Sequence, residues 1–168
     1  MQALEKFNRW LNGGLAWVAG LALIAMMLFT VGDMVLRGLG RPVAGSYEII
    51  GWLSAGAMAL ALGYTQLHRG HVAIDLLTTR LGGRSRAAIE LVTTLLALLL
   101  FAAVAWYLAR YGRVLHQTGS LSETLKAIVY PWVYVVAAGA AGLALALLVD
   151  FLKSAMRLKA TLAAPARR

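Results

Sequence analysis

Residues 132–152 read WVYVVAAGAAGLALALLVDFL, and eighteen of them pass before the first charge, Asp150. A helix needs about 20 apolar residues to cross the ~30 Å hydrocarbon layer of a bilayer. Ala138, Gly142 and Ala146 recur here every four residues. Small side chains at that spacing let helix backbones approach closely, and packing rather than hydrophobicity drives helix association in lipid. The stretch therefore predicts a membrane-spanning helix with a neighbour.

Working outward, three more blocks of similar length appear at 15–35, 49–67 and 89–108. Backbone groups in lipid must bond within their own segment, so all four should be helices. The second block carries its own small-residue ridge, Gly51, Ala55, Ala59 and Gly63, whereas the third is rich in Leu and Phe. The expected fold is an all-α membrane protein with four transmembrane helices and short interfacial helices. It forms a single membrane domain over 1–168, and residues 153–168 make a basic tail. The first block is too long for a signal-peptide core, so it reads as a retained anchor.

Composition agrees. Of the 168 residues, 61% are hydrophobic, and the mean hydropathy is +0.74; soluble domains hold roughly 45–50% apolar residues. The net charge of +9 lies between the apolar blocks rather than on one face, which favours lipid headgroups over nucleic acid. Trp10, Tyr47, Trp52, Tyr64, Trp106, Tyr107, Tyr111, Tyr130, Trp132 and Tyr134 sit near block ends, as an interfacial aromatic belt does.

Lysine and arginine set orientation. One side collects eleven: Lys6, Arg9, Arg69, Arg80, Arg84, Arg86, Lys153, Arg157, Lys159, Arg167 and Arg168. The other holds five: Arg37, Arg41, Arg110, Arg113 and Lys126. Both termini and the 66–86 connection are thus expected in the cytoplasm.

That connection contains QLHRGHVAIDLL, residues 66–77. His68 and His71 lie i,i+3, but zinc wants three or four ligands, and His116 belongs to the other side. A re-entry turn leading into a short interfacial helix through Ile74, Leu77 and Leu81 is the expected structure. On the outer side, Ser120-Leu-Ser-Glu123 has the capping-box pattern and predicts a short helix up to Tyr130, with Pro131 opening the fourth span.

No acid lies in the middle of a block. Six have a partner at helical spacing: Glu5–Arg9, Asp33–Arg37, His71–Asp75, Arg86–Glu90, Glu123–Lys126 and Asp150–Lys153. Glu48 has none. It reads either as a first-turn anion behind a Ser46 cap, or as a partner for Arg37, Arg41 or another protein. A self-contained homodimeric exporter would need a carboxylate in the membrane core. A haem anchor would need an axial ligand inside the bundle, yet every His is in a loop. No hydrolase or phosphate-loop motif is present. No cofactor, metal or catalytic residue is expected.

Arg37-x-x-x-Arg41-Pro42 before Ser46-Tyr47-Glu48, Gly63 leading into Arg69-Gly70-His71-Val72-Ala73-Ile74-Asp75, and Ser120, Ser122 and Thr124 before Pro131-Trp132 together resemble one family. It is the small, DctQ-like membrane subunit of tripartite ATP-independent periplasmic (TRAP) transporters. The resemblance implies a non-catalytic scaffold in the bacterial inner membrane. Its partners would be a large permease subunit carrying substrate and sodium sites, and a periplasmic substrate-binding protein that captures carboxylates. Arg37, Arg41 and Glu48 would then be candidates for docking that protein, and Arg69, Gly70, His71 and Asp75 would form the cytoplasmic re-entry motif.

Overall fold

The computed structural model describes residues 2–68 and 83–163. Four helices account for nearly all of them: α1 (Gln2–Gly38), α2 (Ser46–Leu67), α3 (Gly83–Thr118) and α4 (Tyr130–Ala163). No strand forms among the described residues. Three helices, α1, α3 and α4, hold segments long and apolar enough to cross a membrane. In α2 the apolar residues are diluted by Gly, Ser, Tyr, Thr and Gln. The helices outrun the expected spans: α1, with 37 residues, is about 55 Å long at 1.5 Å per residue.

The helices lie in the lateral order α1, α2, α4, α3. α1 packs on α2, α2 on α4 and α4 on α3, while α1 touches α4 more lightly. Within the chain, 44% of the most apolar stretch of α4 is buried and none of that of α3. α4 is therefore the central helix, and α3 is held from one side.

Close approach of α2 and α4 depends on glycine. A Cβ on Gly139 would run into the Ala59 carbonyl and come within 2.8 Å of the Leu60 nitrogen. One on Gly63 would fall on the Asn12 amide oxygen and lie 3.1 Å from the Gly142 carbonyl carbon. These contacts are to backbone or to a locked side chain, so they cannot yield cheaply. Higher up, Gly56 faces Val135. The buried line is Gly56, Ala57, Ala59, Leu60 and Gly63 on α2 against Ala137, Gly139, Ala140, Gly142, Leu143 and Ala146 on α4. Of the two ridges read from sequence, Ala59, Gly63 and Gly142 lie in this contact, and Ala146 is buried. Gly51, Ala55 and Ala138 are exposed within the chain.

The outer connection between α3 and α4 departs from expectation. No helix follows Ser120. Leu121 instead bridges Ile128, and the Ser122 N–H donates to the Ala127 carbonyl at 2.9 Å. The Ser122 hydroxyl accepts from the Ala127 N–H at 3.2 Å, and the hydroxyl of Ser120, the expected cap, pairs with that of Thr118 at 2.7 Å. Lys126 takes the left-handed conformation at φ 53°, which closes the turn. Pro131 does sit in the first turn of α4, where its missing N–H costs nothing.

Replacing Gly139 by Ala should lower unfolding free energy in mild detergent by about 1–3 kcal/mol, as overpacking does. Gly51→Ala, with nothing within 4 Å, should be neutral or slightly stabilising. Thermal unfolding of the two variants side by side tests this, and equal melting would refute the close contact.

Candidate functional site

The polar groups gather at the two ends of the helix row, with one buried amide pair between. At the end holding both termini, α4 reaches each of the other helices. Asp150 accepts a hydrogen bond from the Gln66 side-chain amide of α2 at 2.8 Å. Lys153 pairs with Glu5 of α1 at 3.4 Å, and Arg157 with Glu90 of α3 at 3.9 Å. Positions 150, 153 and 157 share one face of a 3.6-residue helix, but the directions of these contacts span three neighbours. The expected local pairs Glu5–Arg9 and Asp150–Lys153 are not formed, because a tertiary partner is within reach of each acid. Exposed pairs are worth only about 0–1 kcal/mol, so these contacts select an arrangement more than they stabilise it.

At the opposite end, Asp33 is buried and holds two groups. It pairs with Arg37 at 2.9 Å, the expected i,i+4 contact. Its other oxygen accepts the Val43 N–H at 2.9 Å, which fastens the α1–α2 turn. The Arg37 guanidinium also lies 5.8 Å from the centre of the Tyr47 ring, within cation–π range. Arg41 is exposed, and its backbone N–H donates to the Leu36 carbonyl at 2.8 Å.

Glu48 takes neither of its expected roles alone. It lies in the first turn of α2, but its carboxylate accepts the backbone N–H groups of Thr124 at 2.7 Å and Leu125 at 3.1 Å. It thus ties α2 to the distant α3–α4 connection. Those two bonds take up the Thr124 and Leu125 amides, which a helix from Ser120 would have turned to the Ser120 and Leu121 carbonyls, and no ion pair joins Glu123 to Lys126. Ser46 is not the cap: Gly45 precedes the helix in the left-handed conformation, φ 73°, and a Cβ there would strike the Leu125 side chain. Chiefly through the Thr124 amide, the Glu48 carboxyl is held below the usual carboxylate range. Trp52 stacks on Trp132 at 5.6 Å beneath this knot. Tyr134 covers Gly112 of α3, where a Cβ would lie 3.1 Å from its ring.

The buried amide pair is Asn8 and Asn12 of α1, 1% and 0% exposed. The Asn12 amide nitrogen donates to Asn8 Oδ1 at 2.7 Å and reaches the Gly142 carbonyl at 3.3 Å. Asn8 Nδ2 and Asn12 Oδ1 have no partner. Gly63 and Gly142 form the notch that admits the amide. Sequence reading overlooked this pair, although two amides at i,i+4 just before Gly13-Gly14 were a usable signal. The re-entry motif of Arg69, Gly70, His71 and Asp75 lies outside the described residues, as do the interfacial helix and the side chain of Arg86. His68 ends α2 with its ring 4.2 Å from that of Tyr64. Among the described residues no group of three His, Asp or Glu could hold a metal.

Comparison with protein families matches residues 26–157 to the tripartite ATP-independent periplasmic transporters, DctQ component. No curated protein and no solved structure matches the chain significantly.

Because its pKa is depressed in the fold, Glu48 should hold the connection above the unfolded carboxylate range and release it as pH falls through the lowered value. Hydrogen exchange at the Thr124 and Leu125 amides should therefore show protection at neutral pH and lose it in acid. Glu48→Gln should remove most of that protection at neutral pH, since it leaves one acceptor and no charge. Equal protection in the variant would rule out the carboxylate as the anchor.

Proposed function

The chain belongs to the DctQ family of tripartite ATP-independent periplasmic transporter components, and from that premise we propose that it is the non-catalytic scaffold of a sodium-coupled uptake system for carboxylates. As a membrane protein of a transport system, it works with other components of that system. In this reading all four helices span the bacterial inner membrane. The termini and the 66–86 connection lie in the cytoplasm, where eleven of the sixteen Lys and Arg residues fall. The companions are a large permease subunit that moves the solute, a periplasmic binding protein that delivers it, and the surrounding lipid.

The observation that carries this reading is how the ionisable groups are used. Asp150, Lys153 and Arg157 join α4 to α2, α1 and α3, and Asp33 and Glu48 fasten the two outer connections. Acids that carry a proton or cation through a membrane face a cavity or pathway. Here they hold backbone amides and neighbouring helices in place, which suits a brace.

Of the docking candidates, Arg37 and Glu48 have partners within the chain, and exposed Arg41 is the one best placed to meet a soluble protein by charge complementarity. Arg41→Glu should weaken uptake and binding-protein association at low ionic strength, with a narrower gap in high salt. Unchanged values at both would remove the docking role. Reconstituted alone in liposomes, the chain should leave solute and sodium gradients intact, and transport should appear only once the permease subunit and the binding protein are added. Solute movement by the chain alone would replace the scaffold with a self-contained exporter.

A further inference from the structure

We propose that the helix row sits inclined in the bilayer, with α1 shifted toward the inner side and α3 toward the outer side. The interaction surface is the chain's own apolar band, and the partner is the lipid bilayer. The inference rests on the four-span reading and adds a direction and a size.

The contacts between helices give a common scale along α4. At the inner end, Glu5 lies level with Lys153 and Glu90 with Arg157. The charge-free run of α1 begins after Arg9, one turn beyond Glu5, so its inner rim is level with about residue 149. That of α3 begins directly after Glu90, level with residue 157. The two rims differ by about eight residues, or ~12 Å at 1.5 Å per residue.

At the outer end the offset has the same sense. The run of α1 ends at Asp33, which binds the Val43 amide just before the start of α2. Ser46 is six residues before Trp52, which stacks on Trp132, so Asp33 is level with about residue 126. The run of α3 ends at Arg110. Gly112, two residues on, lies beneath Tyr134, which puts Arg110 level with about residue 136. This offset is about ten residues, or ~15 Å.

Between α1 and α3, the two ends of the row, both rims of the band therefore differ in the same sense. An upright row would bury Arg110 of α3 or lift the inner turns of α3 out of hydrocarbon. With helices 8–10 Å apart, a slope of ~13 Å over at most three spacings corresponds to an inclination of roughly 25°. Transmembrane helices tilt by about 20° on average, up to about 40°, so the angle is accessible. Trp106, Tyr107 and Tyr111, all more than half exposed, then lie at the outer interface. Arg110, Arg113 and His116 stand beyond it, and Glu5, Lys6 and Arg9 stand beyond the diagonally opposite inner rim.

The chain has no cysteine, so single nitroxide labels can be placed without background. Phe7→Cys and Leu96→Cys lie at one level of the row, and Ile24→Cys and Val114→Cys share another to within a turn. All four positions are exposed. Depth is read from oxygen against nickel-chelate accessibility in phospholipid vesicles. Inclination places Leu96 and Ile24 deep, and Phe7 and Val114 about 12 Å nearer the water. Equal depths within each pair would overturn the inclination while leaving the spans intact. Aqueous readings at all four would overturn the four-span reading and the proposal with it. Labels at Met27 and Leu99, also exposed, repeat the deep readings if either deep-site variant fails to fold.

Discussion

The structure depends on how closely α2 and α4 approach. Gly139 against Ala59 and Leu60, and Gly63 against Gly142, leave no room for a single added carbon. In lipid there is no hydrophobic gain from bringing two apolar helices together, so contact must come from packing and hydrogen bonds. Glycine makes that packing backbone to backbone. It also opens the notch that accepts the Asn12 amide, so α1 is located by the same feature that joins α2 to α4. The cost is that Asn8 Nδ2 and Asn12 Oδ1 remain unpartnered, a penalty of about 1–3 kcal/mol for each such group. A contact that tolerates it must be well determined by its surroundings.

Charge then fixes what packing leaves open. Small-residue ridges allow sliding by a turn, since every fourth position looks alike. The three contacts of α4 at one end and the Glu48 knot at the other remove that freedom. Each is modest in energy, but together they select one register among near-equals.

Much of this was legible in the sequence, and the reasons for the exceptions are specific. Uninterrupted apolar blocks announced α1, α3 and α4, because length and composition alone decide whether a segment suits hydrocarbon. The Asp33–Arg37 pair was legible because both partners lie on one helix. Contacts between helices were not. Glu5, Asp150 and Glu48 each had a local role available and took a distant partner, which spacing along one chain cannot reveal. The Ser120–Glu123 pattern misled for the same reason: the Thr124 and Leu125 amides that would have continued its helix are claimed by Glu48, 76 residues from Thr124. Of the small-residue ridges, only Ala59, Gly63 and Gly142 are seen in the contact, because period four drifts around a helix of 3.6 residues per turn.

The lateral order of the helices has a consequence for biosynthesis. As the nascent chain leaves the ribosome, α1 and α2 emerge as neighbours and can associate at once. α3 emerges next, yet its main partner is α4, which is made last. For that interval α3 lacks its main partner within the chain. Its Leu-rich surface lets it wait in lipid. The final helix is thus the keystone, and assembly of the whole row is deferred until translation reaches it.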